Sequence, residues 1–138
     1  MSAFSDIVGA VVTLLNTAPA VAGGRITRAS ERDVAQSSAT AVAVRIESAE
    51  PERIVIKSLD WASVIAIDIY ARGASPDSVA DPILALVYAR IMADPTLTGT
   101  VIDCQPQGIS WDYSAADTDL CVCTARFAVQ HRTTEILT

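Results

Sequence analysis

The sequence predicts an α+β fold: one mainly antiparallel or mixed β-sheet with two α-helices packed on one face, in the order α-β-β-β-α-β-β. Three observations carry this reading. Apolar residues recur every three to four positions in two separate stretches, Phe4 to Leu15 and Val79 to Ile91, which is the period of a helix. Apolar side chains instead alternate with their neighbours around Val42 to Glu47, Trp61 to Arg72 and Leu120 to Arg132, the period of a strand. Consecutive strands joined by short links favour antiparallel pairing over long parallel crossovers.

The first helix has Ser5 as its cap and Asp6 at its positive end, with Phe4, Ile7/Val8, Val11 and Leu14/Leu15 on its apolar stripe. Asn16 to Pro19 ends it. The stretch Gly23–Ser38 is polar and reads as an exposed arm or strand. Val42, Val44 and Ile46 form the next strand. Ala49 to Glu52, containing Pro51, reads as a turn, and Ile54 and Ile56 as a short edge strand. Trp61, Ser63, Ile65, Ile67 and Ile69 share one face of the strongest strand, with Ala62, Val64, Ala66, Asp68 and Tyr70 on the other. Both faces are partly apolar, so this strand belongs at the centre with its second face partly covered. Ser75, Pro76 and Asp77 open the second helix, whose stripe is Val79, Ile83, Leu86/Val87 and Tyr88/Ile91. Asp94-Pro95 stops it. Val101 to Gln105 and Leu120 to Arg132 are the last strands, joined by a loop carrying Trp111, Asp112, Tyr113, Asp117 and Asp119. Cys121, Cys123, Ala125, Phe127 and Val129 share one face of the final strand.

The 138 residues suffice for one domain, taken as 1–138, and not for two with separate cores. A hydrophobic share of 51% excludes intrinsic disorder. It also suggests apolar surface buried against other subunits, because a small domain has little interior. Ten basic against sixteen acidic residues give a net charge of −6, the wrong sign for general phosphate binding. The run Ile7 to Leu15 is half of what a bilayer needs, and no Lys or Arg precedes Arg25 to make a secretion signal. No membrane partner is expected. Three cysteines form no disulfide framework, and a reducing compartment is the simpler reading.

Catalytic chemistry finds little support. His131 is the one histidine, no Gly-x-Ser-x-Gly elbow is present, and a strand-end histidine bonded to a neighbour is the simpler assignment. Cys121 and Cys123, alternate residues on a strand, sit roughly 7 Å apart, too far to share a metal at ~2.3 Å each without a bend. Cys104, Cys121 and Cys123 therefore read as core thiols, with no metal and no cofactor. Gly23-Gly24-Arg25 lacks the Gly-Lys-Ser/Thr of a phosphate loop. Arg25, Arg28 and Arg32 form the single basic cluster, which reads either as a solvated stretch or as a surface for an acidic partner or passing DNA.

Trp61-Ala62-Ser63 leading into Ile65–Arg72, the helix running into Ala93-Asp94-Pro95-Thr96-Leu97-Thr98-Gly99, and the ending Phe127–Thr133 together resemble the phage minor tail protein U-like tail terminators. The resemblance covers about residues 40 to 135. It implies a non-enzymatic structural virion protein: a homo-hexameric ring that caps the tail tube, stops its polymerisation and offers the surface that joins the head. It implies the major tail tube protein and a head–tail connector protein as partners, with DNA only passing through the channel. The implied location is the virion tail, after assembly in the host cytoplasm. On such a ring Asp112, Asp117 and Asp119 are expected in a partner-docking loop, and Arg25, Arg28 and Arg32 at the subunit interface or the channel. Two alternatives remain open at this point. One is another connector or tail component of related shape. The other is a small cytosolic enzyme or ligand-binding domain with a pocket at Trp111, Tyr113 and the Asp loop.

Overall fold

The computed structural model describes residues 3–17, 26–28, 40–55, 58–73, 76–97, 99–113 and 120–134. Its elements run α1 (Ala3–Asn16), β1 (Ile26–Arg28), β2 (Thr40–Val55), β3 (Ser58–Arg72), α2 (Pro76–Ala93), β4 (Asp103–Tyr113) and β5 (Leu120–Thr134). The strands form one sheet in the order β1-β2-β3-β5-β4. The four long strands pair antiparallel, and short β1 lies parallel to β2 opposite Val42–Val44. The predicted order and α+β class are those observed. β3 is the middle strand, as its two partly apolar faces require.

Alternation decides what each face of the sheet meets. Ile65, Ile67 and Ile69 of β3 and Cys123, Ala125, Phe127 and Val129 of β5 point to one side, where α1 and α2 cover them completely. From α1 come Ile7, Val8, Val11 and Leu15, the predicted stripe. Full burial of side chains this size contributes about 1.5–3 kcal/mol each, and this layer holds the fold together.

α1 and α2 are also tied at one end. α1 has no basic residue in its last turn. Arg90 of α2 supplies the missing cation: its guanidinium donates to the carbonyls of Leu14 (3.3 Å), Leu15 (3.1 Å) and Thr17. These are orphan acceptors at the negative end of a helix.

Several boundaries differ from the sequence expectation. Ser5 lies inside α1 rather than capping it. The expected turn at Ala49–Glu52 and the separate strand at Ile54 are a single continuous β2, in which Pro51 pairs with Trp61. Among the described residues β1 flanks β2 only opposite Val42–Val44, and none of them pairs with Pro51 on that outer side, where its missing N–H costs no ladder bond. Register shifts at Ile46/Ser48 and Pro51/Arg53 absorb the irregularity. β4 starts at Asp103 and runs to Tyr113, through Pro106 and a bulge before Gly108, where a short strand and a loop were expected. In α2 the fully buried stripe is Ala80, Leu84, Val87 and Ile91, while Val79, Ile83, Leu86 and Tyr88 flank it, half-buried. Of the Gly23–Ser38 stretch, Ile26–Arg28 is the strand β1 and the rest lies outside the described residues.

After α2 the chain turns through Leu97, which is fully buried yet left-handed at φ 50°. Its N–H bonds the Asp94 carbonyl at 3.0 Å. The apolar burial of the side chain offsets a backbone conformation that costs on the order of 1 kcal/mol.

Candidate functional surfaces

The residues that carry chemistry most often are inside. Cys104, Cys121 and Cys123 are all buried free thiols. Burial, reinforced by Asp103, pushes the Cys104 thiol up to about 12. Burial also pushes Cys123 up to about 11, with smaller contributions from Cys121 and Asp81. Such thiols stay protonated and unreactive. No group of three metal-ligating side chains occurs among the described residues.

His131 and Ser63 do come together, with Nε2 and Oγ 2.7 Å apart. They sit diagonally on β5 and β3, a neighbourhood that exists only because Ser63 pairs with Val129. Both are buried, under the edge of the Phe4 ring of α1, whose centroid lies 5.2 Å from that of the imidazole. Trp61 Nε1 donates to Thr133 Oγ1 beside them at 2.8 Å. Among the described residues no hydrogen-bond partner orients Nδ1. Among them the contact has no third member of a nucleophilic triad, and both its groups are buried. Burial also lowers the His131 pKa from its ordinary value near 6.5, favouring the neutral ring.

The opposite face of the sheet carries an ionic lattice that sequence reading missed. Arg45 Nε donates to Asp68 Oδ2 at 2.9 Å, and Thr124 Oγ1 donates to Asp68 Oδ1 at 2.7 Å. Arg126 Nε binds Glu47 at 2.9 and 3.1 Å and its terminal nitrogen reaches Ser110 Oγ at 3.0 Å. Arg45 also lies 3.7 Å from Glu47. Arg45 and Arg126 face each other across Ala66, which is small enough to let their stems and Glu47 close over it. Ala66 is fully buried, on a face that neither described helix covers. The hydrogen bond that Arg45 donates to Asp68, opposed by partial burial, raises the Arg45 pKa.

Of the predicted docking residues the structure describes Asp112, and of the arginine cluster Arg28. Asp112 is not in a turn. It is an exposed residue of β4 paired with Val122. Arg28 ends β1. Asp117, Asp119, Arg25 and Arg32 lie outside the described residues.

Among the described residues the exposed large apolar side chains include Ile102 and Met92, and two further apolar features stay uncovered. Between α2 and β4 runs an open groove of about 470 Å³, lined by Asp81, Pro82, Leu84, Ala85, Tyr88 and Ile109. Trp111 and Tyr113 continue it along β4, 46% and 57% exposed. At the far end of the sheet Ile54 is 75% exposed. No described helix is long and apolar enough to cross a membrane.

The phage minor tail protein U family model matches residues 6–130. The chain belongs to this family. It is a structural phage-tail protein and a component of the virion. No curated protein matches it. Among solved structures, a chain of the virion of a native gene transfer agent particle shares the fold of this tail protein. The TM-score is 0.60 at 11% identity, with 91% of this chain and 93% of that chain covered.

Proposed function

We propose that this tail protein is a tail terminator: a single domain that closes into a hexameric ring, caps the tail tube, halts its polymerisation and provides the head-joining surface. The observation that carries the reading is the family match across nearly the whole described fold. A similar fold in a virion particle supports it. The role asks for surfaces rather than catalytic groups, so the molecule acts without enzymatic activity, in the virion tail, after assembly in the host cytoplasm. Its partners are the major tail tube protein and a head–tail connector protein, and DNA passes through its channel.

In this reading Asp112, Asp117 and Asp119 present negative charge to a stacked partner ring, where opposite charge steers docking and rejects wrong partners. Arg25, Arg28 and Arg32 serve the neighbouring subunit or the channel. The test is reversal of Asp117 and Asp119 to Lys in the full chain during phage assembly. The variant is expected to fold, because charges in a loop that the sequence reads as solvated contribute only ~0–1 kcal/mol. Overlong tails, or heads and tails left separate in electron micrographs, are expected. Normal-length tails joined to heads would remove the acidic cluster from the docking role. A stable two-fold dimer persisting on assembled tails would remove the ring itself.

A further inference from the structure

β4 closes the sheet on one side, and among the described residues it pairs as a strand with β5 alone. The N–H and C=O groups on its outer side therefore form an edge, a template for another strand. Pro106 and the bulge before Gly108 blunt the first half of that edge. From Gly108 to Asp112 the register with β5 runs without a break. This span is about 17 Å long at ~3.4 Å per residue. Its side chains divide between the two faces. Ile109 and Trp111 pair with Ala125 and Cys123 and so turn to the helix-bearing side. There α2 buries Leu84 but stops short of β4, leaving Ile109 37% exposed in the groove and Trp111 more exposed still. Gly108, Ser110 and Asp112 pair with Arg126, Thr124 and Val122 and turn to the face that neither described helix covers.

A strand bonded to this edge lies about 4.8 Å outside β4. Every second side chain of it then falls beside Ile109 and Trp111, in the groove, and the ones between fall beside Ser110 and Asp112. Charge narrows the choice of strand. Asp81 lines the groove and Asp112 stands on the edge, both exposed, and neither has an ion-pair partner among the described residues. Arg126, opposite Gly108, is already held by Glu47 at 2.9 Å. The sheet's other long edge does not answer this charge. β2 beyond Ile46 carries Glu47, Glu50 and Glu52 against Arg53, so edge pairing between two copies sets acid against acid.

We infer that the outer edge of β4 from Gly108 to Asp112 receives an extended segment of another protein as a further strand, with alternate apolar side chains seated in the α2–β4 groove and a Lys or Arg paired with Asp112. Main-chain bonds to the edge hold such a segment, and the groove reads its apolar positions. A helix fills the groove but leaves the edge unpaired, so an extended segment uses both features. This goes beyond the terminator reading and stands whether or not copies close into a ring.

The test titrates the full-length protein with a capped peptide, Lys-Val-Thr-Val-Thr-Val-Lys, whose ends bring a cation to Asp112 whether it runs parallel or antiparallel to β4. The expected result is a blue shift of Trp111 emission, missing from Trp111→Phe, with slowed amide exchange within Gly108–Asp112. Methylating the peptide nitrogens at alternate residues abolishes binding for one set and spares it for the other, the mark of a strand bonded along one side. Asp112→Lys weakens binding, and a peptide with glutamates at its ends then binds better than the lysine peptide. Ile109→Lys, at an exposed position, removes binding while the circular dichroism of the fold is unchanged. No shift and no slowed exchange at saturating peptide overturn the proposal. Equal binding of an isomer with its valines grouped overturns it as well, as does an equal response to both methylated sets. Slowed exchange of the same amides in concentrated protein without peptide also overturns it, because the occupant is then a second copy. Ring formation is decided separately, by electron microscopy of assembled tails.

Discussion

The two faces of the sheet solve the same problem by different means. On one, Ile65, Ile67 and Phe127 are sealed by α1 and α2. On the other, Ala66 is equally buried between its cross-strand neighbours Arg45 and Arg126, whose two positive charges are answered by Glu47 and Asp68. A strand can thus be buried on both sides in a two-layer protein. The dry face depends on volume, and the ionic face depends on completeness. Removing one partner there leaves polar groups without an answer.

Three substitutions can break or sharpen that contrast. Phe127→Ala empties the centre of the dry face, where Tyr88 packs at a centroid distance of 4.9 Å. A loss of about 3–5 kcal/mol is expected in denaturant unfolding. A loss below 1 kcal/mol would mean the helices do not hold this face. Asp68→Ala strips Arg45 and Thr124 of their shared acceptor and should cost about 1–3 kcal/mol. A double-mutant cycle with Arg45→Ala then gives non-additive losses, and strict additivity would show that the lattice is not coupled.

The smallest expected effect concerns His131, the polar group embedded in the dry face. Its folded pKa lies below the unfolded value near 6.5. Below that pH the unfolded chain binds a proton that the folded chain resists, so stability is full above about 6.5 and declines as pH falls. Comparing unfolding at pH 7.5 and 5.5, the His131→Asn protein should lose less on acidification than its parent. An unchanged difference would show that carboxylates alone set the acid response.

The dry face was legible in the sequence because alternation and helical spacing report burial directly. The stripe of α1, the face shared by Cys121 to Val129 and the start of α2 at Pro76 all follow from local pattern. The ionic face was not. Each of its residues occupies an outward position that looks merely solvated, and only the register brings Glu47 to Arg126, 79 positions away. His131 was expected to bond a neighbour, but that the neighbour is Ser63, 68 positions away, escaped notice for the same reason. Pro51 and Pro106 hid the true lengths of β2 and β4, because a proline signals a break unless its strand is known to lie at an edge. The uncovered groove needs both lessons at once: the phase of Trp111 on β4, and where α2 stops covering it.

The place of β5 in the sheet sets a timetable for the chain. This strand follows the other strands of the sheet in chain order, yet it occupies the slot between β3 and β4 and bonds along its length to β3. Until it emerges, the middle strand has one unpaired side and β4 has no partner at all. Arg90 likewise reaches the end of α1 only after most of the chain has been made. Pairings this distant close late and slowly, and an unfinished copy exposes its strand edges meanwhile. A copy truncated before Leu120 therefore has no completed sheet on which to display a groove.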